Sequence, residues 1–214
     1  MYKIFLSALV VCSLFSCQQA YLEFSCDPVI NDFVLGNIDE LSQLSVTEVT
    51  SYDLSLQKAI FNSWDYQKKR NAWLDKLNDV MNRFEFSKVE IEHIQKLIDH
   101  IDIDYFLDDI PISVIEDRVV FAEEWINYAT NELQWADQFV AFLVYRLYTD
   151  QSQFDLEFNE MKSLKIGMTS NSEIGGCNCN VSSDFCSGSF CTSNGCSTGS
   201  GCGWLWSETC NGLC

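Results

Sequence analysis

From Leu41 to Lys165 apolar residues return every third or fourth position, turn residues are scarce, and Pro111 alone interrupts the pattern. That period predicts α-helices. In one segment Ile91, Ile94, Ile98 and Ile101 mark a single face while Glu92, Gln95, Lys96 and Asp99 fill the rest, so one stripe should be buried. A longer helix is expected from about Ser113 to Tyr148, with Ile115, Val119, Ala122, Ile126, Ala129, Leu133, Ala136, Val140, Leu143 and Leu147 along one side. Ser45 with Glu48, Ser87 with Glu90 and Ser113 with Glu116 are each spaced for a capping box, in which hydroxyl and carboxylate satisfy the N–H groups left open at a helix start. The expectation is a small helical bundle over residues 41–165, its core filled by Trp64, Trp73, Trp125 and Trp135.

The pattern stops after Lys165. Gly167, Ser170, Asn171, Ser172, Gly175 and Gly176 make residues 166–176 a flexible linker, and the next 38 residues hold eight cysteines: Cys177, Cys179, Cys186, Cys191, Cys196, Cys202, Cys210 and Cys214. This tail has no histidine, no lysine and no paired CxxC spacing, so disulfides rather than metal are expected. Its larger apolar groups are too few for a core of its own, and crosslinks should hold it. Eight cysteines allow 105 pairings, and Cys177 and Cys179 stand too close to pair with each other. The predicted fold class is mainly α, a small helical bundle followed by a disulfide-rich, loop-dominated C-terminal module that stands apart from it.

Charge narrows the function. With 13 basic and 31 acidic residues the formal net charge is −18, which argues against nucleic acid and against electrostatic adsorption to anionic lipid. Lys3 followed by the apolar run Ile4 to Phe15 reads as a signal peptide over residues 1–16, and Leu14-Phe15-Ser16-Cys17 resembles a lipobox. Lipidation of Cys17 would give a membrane anchor at the outer cell envelope, with residues 17–40 as anchor and spacer. Within that spacer Cys26 is the odd cysteine, free or paired between chains. His93 and His100 share nearly one helix face but lack a third metal ligand and are expected at the surface. Asp99, Asp102, Asp104, Asp108 and Asp109 read as a solvated acidic junction. No nucleophile elbow, phosphate loop or metalloprotease helix occurs, so neither an enzyme nor a cofactor is expected.

The strings Cys177-Asn178-Cys179-Asn180-Val181-Ser182-Ser183-Asp184-Phe185-Cys186, Phe190-Cys191-Thr192, Gly201-Cys202-Gly203-Trp204 and Cys210-Asn211-Gly212 resemble the cysteine framework of the fulvocin C-related bacteriocins. The resemblance covers the last 38 residues and departs at the end, where Cys214 closes the chain. It implies an exported precursor whose stapled peptide inhibits related bacteria, with an immunity protein as a further partner; the tail's net charge of −2 rules against cationic attraction to lipid, so a specific envelope receptor is the expected target. Gly175-Gly176 resembles a processing site that would free the peptide. Trp204 and Trp206 are candidates for its target contact, although the same indoles could instead cap its small core. The alternative function is a lipid-anchored surface protein whose tail is a non-toxic binding or adhesion module.

Overall fold

A computed structural model describes residues 23–147, 178–183 and 191–213. Among the described residues eight helices run α1 Pro28–Gly36, α2 Ile38–Leu41, α3 Val46–Val49, α4 Leu54–Asn62, α5 Tyr66–Arg83, α6 Lys88–His100, α7 Ile112–Asn131 and α8 Asp137–Val144. The fold class is mainly α, with a disulfide-rich C-terminal part dominated by loops. The expected signal segment over residues 1–16, Cys17, the expected linker with Gly175 and Gly176, and Cys177, Cys186 and Cys214 lie outside the described residues.

Helix starts follow local chemistry. The side chains of Asp27, Ser45, Asp53, Asp65 and Ser87 each accept a backbone N–H of the first turn behind them. The capping boxes at Ser45/Glu48 and Ser87/Glu90 form, each carboxylate accepting the cap N–H at 2.7 Å. The third box, at Ser113/Glu116, does not. Pro111, extended at φ −59°, already sets the entry to α7, and Ser113 falls inside the first turn. The long third helix is also two helices, because Gln134 turns left-handed at φ 56° and the Trp135 N–H reaches back to the Ala129 carbonyl at 3.0 Å.

The helical body begins earlier than residue 41. The spacer holds α1 and α2, and Val34 and Leu41 are buried in the common core, α1 lying against α4. In sequence order α5, α6, α7 and α8 pack each on the next. Trp64, Trp73, Trp125 and Trp135 fill this core as the pattern predicts. The α7 stripe is buried only from Ala122 onward, since Ile115 and Val119 are about half exposed.

Position His93 is corrected: it is 3% exposed rather than on the surface, stacked on Trp125 at 4.4 Å between ring centroids, with Nε2 3.1 Å from the Trp125 carbonyl. Burial pulls its pKa from the ordinary 6.5 down to about 4; Lys96 adds to the shift and the Trp125 carbonyl opposes it. The unfolded chain therefore takes up this proton at higher pH than the folded one, and the contribution is complete above about pH 6.5 and lost as pH falls toward 4. Comparing urea unfolding at pH 6.5 and 4.5, wild type is expected to lose about 2 kcal/mol more than His93→Gln. Equal losses in the two proteins would remove the assignment.

The cysteine-rich part is not a separate module. Strands β1 Asn178–Cys179, β2 Thr192–Ser193 and β3 Gly212–Leu213 form an antiparallel sheet in the order β1-β3-β2, crosslinked by Cys179–Cys191 and Cys202–Cys210. A further bond, Cys26–Cys196, ties this lobe to the segment before α1 across 170 residues, so the eight tail cysteines do not pair only among themselves. The short 3₁₀ turn Trp204–Trp206 drives into the helical core. Trp206 is fully buried, edge-on to Phe61 at 5.4 Å and to Trp73 at 6.0 Å, and donates its indole N–H to the Tyr145 carbonyl at 2.9 Å. Leu205 and Trp206 hold φ of 52° and 53°, left-handed values that cost L-residues energy and persist because the surrounding packing compensates.

Candidate functional site

Where the lobe meets the helices it does not close completely. A cavity of about 720 Å³ opens between the segment before α1, the end of α4, the start of α5, the α6–α7 connection, the first half of α7 and the cysteine-rich lobe. That is within the size range of small-molecule sites.

One wall is apolar, built from Phe24, Trp64, Phe106, Ile115, Val119 and Ala122. Two groups of polar residues share the lining. Lys69, 5% exposed, donates from Nζ to the Ser200 hydroxyl at 3.2 Å. Ser200 in turn donates to the Asn62 side-chain oxygen at 2.6 Å, and the Asn62 amide donates to the Glu23 carbonyl at 3.0 Å. This relay links lobe, α4, α5 and the N-terminal segment around the charge. Burial lowers the Lys69 pKa, with Asp108 and Asp65 pulling weakly the other way. The Lys69 environment differs from that of Lys76 on the same helix, whose ammonium is received by the carbonyls of Phe142, Leu143 and Arg146 at the end of α8, where a cation is favoured.

Tyr105 and Trp204 also line the cavity. Both are buried, and neither the Tyr105 hydroxyl nor the Trp204 indole N–H makes a hydrogen bond, although the Ser207 and Trp204 side chains approach Tyr105. Burial pushes the Tyr105 phenol up to about 12, so at neutral pH it is an O–H donor. Arg118 lies 4.1 Å over the Tyr105 ring and donates to the Tyr105 carbonyl at 2.7 Å. Glu208 is already engaged, accepting from the Ser183 hydroxyl and from the Trp204 backbone N–H at 3.3 Å. Gly203 makes this possible: at φ 66° it sits where a side chain would collide with the Glu208 carboxylate and the Ser183 hydroxyl.

Of the sequence-predicted contact residues, Trp204 therefore reaches the cavity wall from inside, and Trp206 does not reach it at all. Neither forms an exposed target surface. Lys69, Tyr105 and Arg118 went unsingled in the sequence. For Lys69 a signal existed: Lys69, Ala72, Trp73, Lys76, Leu77 and Val80 form one helical stripe, so two lysines occupy core positions of α5. His100 stacks on Phe121 at 3.6 Å, and the acidic junction Asp99, Asp102, Asp104, Asp108 and Asp109 is exposed. Among the described residues, no group of three or more His, Cys, Asp or Glu comes together as metal ligands, and no helix is long and apolar enough to cross a membrane. The disulfides are consistent with an exported protein in an oxidising compartment. Set against known proteins, the chain matches no family model, no curated protein and no solved structure.

Proposed function

We propose that this is an exported envelope protein of the binding kind, in which helical body and cysteine-rich lobe act together and a small ligand enters the cleft between them. The observation that carries the reading is the insertion of Trp204, Leu205 and Trp206 into the helical core, which makes the lobe one wall of a cavity. Lipidation at Cys17 would keep the protein at the membrane, with the cleft exposed to the surroundings. A precursor that sheds a bacteriocin is less well supported, because a peptide cut at Gly175-Gly176 would stay linked through Cys196 to Cys26 and would keep its indoles buried.

Two measurements test the proposal. The oxidised full-length protein and the oxidised 177–214 peptide, spotted on lawns of related bacteria, are expected to leave no zone of inhibition. Native mass spectrometry after incubation with a low-mass extract of bacterial envelopes is expected to show a discrete adduct on the wild type. Val119→Trp, which plugs the mouth of the cavity from a half-exposed position, is expected to lose that adduct. A zone of killing, or an adduct indifferent to the plug, would sink the binding reading and return the bacteriocin one.

A further inference from the structure

Resting on the cleft reading above, we propose that the ligand is a small amphipathic carboxylate carrying a second acceptor oxygen, with Lys69 meeting the carboxylate and Tyr105 and Trp204 meeting the other oxygen. The argument starts from valence. An ammonium has three N–H donors, and a buried one costs several kcal/mol unless those donors and the charge are answered. Among the described residues Lys69 has one hydrogen-bond partner, the hydroxyl of Ser200, lies 5.8 Å over the Phe61 ring, and has no carboxylate within ion-pairing distance, so two of its N–H donors lack an oxygen acceptor. It is nine-tenths buried, and it opens on the cavity.

No carboxylate that shares the lining pairs with it directly. Glu23 and Asp108 are exposed, so water and salt screen them, Asp108 acting on Lys69 from beyond ion-pairing distance, and Glu208 is held by Ser183 and the Trp204 backbone. Arg118, the second cation of the lining, is occupied by the carbonyls of Tyr105 and Asp104. The charge left open inside the cavity is therefore positive, although the protein as a whole is strongly acidic.

Two further donors point to the same ligand. The Tyr105 hydroxyl and the Trp204 indole N–H are both buried and both in the lining, and among the described residues neither has an acceptor at full hydrogen-bonding geometry, although the two side chains and Ser207 approach one another. A native protein keeps few such groups unless something completes them. An apolar body would lie against Trp64, Phe106 and Val119, which share the lining with these polar groups. N-acyl amino acids have this pattern: a carboxylate, an amide carbonyl and a hydrocarbon chain.

The probe is N-octanoylglycine, with its neutral amide, N-octanoylglycinamide, as the matched control, each titrated into the oxidised full chain by calorimetry. The acid is expected to saturate one site and to bind at least about tenfold more tightly than the amide. Lys69→Met, close in length and without charge, is expected to erase that preference by weakening the acid to the level of the amide. Tyr105→Phe is expected to weaken acid and amide alike by about three- to tenfold. The urea midpoint of Lys69→Met reports its fold and is expected to stay level or rise, since an apolar side chain suits a buried position better. Equal affinity for acid and amide, or a preference that survives Lys69→Met, overturns the carboxylate while leaving the cleft in place. No saturable binding of either probe to folded wild type overturns the inference outright, and the Val119→Trp-sensitive adduct then judges the cleft by itself.

Discussion

Trp206→Ala is expected to lower the unfolding free energy of the oxidised protein by about 3–5 kcal/mol, read from the far-UV circular dichroism of the helices during urea denaturation. The indole is fully buried and contributes in three ways. Its two faces and edge fill the space between Phe61 on α4 and Trp73 on α5, at 5.4 and 6.0 Å, in the edge-on geometry that aromatic pairs favour. Its N–H satisfies the Tyr145 carbonyl beyond the end of α8. Its ring also lies 5.9 Å from the buried Lys58 ammonium, a cation–π contact that alanine removes while the charge stays buried. Alanine would leave an indole-sized hole among rigid aromatic neighbours that cannot collapse into it. The decisive feature is the probe. Far-UV ellipticity reports α1 to α8, not the loop that carries the mutation. Were the lobe a module standing on its own crosslinks, the helical transition would not move. A shift below about 0.5 kcal/mol, the usual size for a surface change, would refute the integrated core.

The sequence reveals this helical body far better than the way its pieces meet. Period and capping chemistry are local, so α5 and α6 and their Asp65 and Ser87 caps can be read from a few neighbouring residues. The break at Gln134 cannot, because a polar residue in a left-handed conformation is selected there by the packing of Trp135 against His93 and Phe139, not by its neighbours. The same holds for the cleft. Lys69 and Ser200 are 131 residues apart and meet only after the lobe has folded back. A tail with two Trp and few other apolar groups can be read as a stapled peptide with an exposed contact or as a lobe that borrows a core from elsewhere. Composition does not separate the two. The cysteine count does not separate them either: setting aside Cys12 and Cys17, nine remain, and Cys26 could pair or stay free. Parity says only that one of the nine stays unpaired or pairs outside the chain; it does not say that Cys26 reaches into the tail, and a loop of this length carries no local signature.

Replacing both Cys26 and Cys196 by serine is expected to lower stability by about 3–5 kcal/mol and to change what a single backbone cut does. A bond between residues 170 apart closes a loop long enough that chain entropy alone accounts for about 5 kcal/mol. What remains in the double-serine protein is weaker. The Asn31 side chain accepts the N–H groups of Glu23 and Phe24 at 3.0 Å, and the Asn194 amide reaches the Cys26 carbonyl at 3.4 Å. The clearest readout is topological. With a specific protease site placed at Gly175-Gly176, the cleaved wild-type protein should run as one species on a denaturing gel without reductant and as two with it. The cleaved double-serine protein should run as two in both lanes. Because Cys26 is buried beside Cys202 and Cys210, the bond should also resist mild reductant until the protein is unfolded. A tail that leaves the cleaved wild type without reductant would mean that Cys26–Cys196 is not formed in solution, and a releasable peptide would again be possible. A tail that stays would mean that whatever this lobe recognises, it does so still attached to the helices that complete its core.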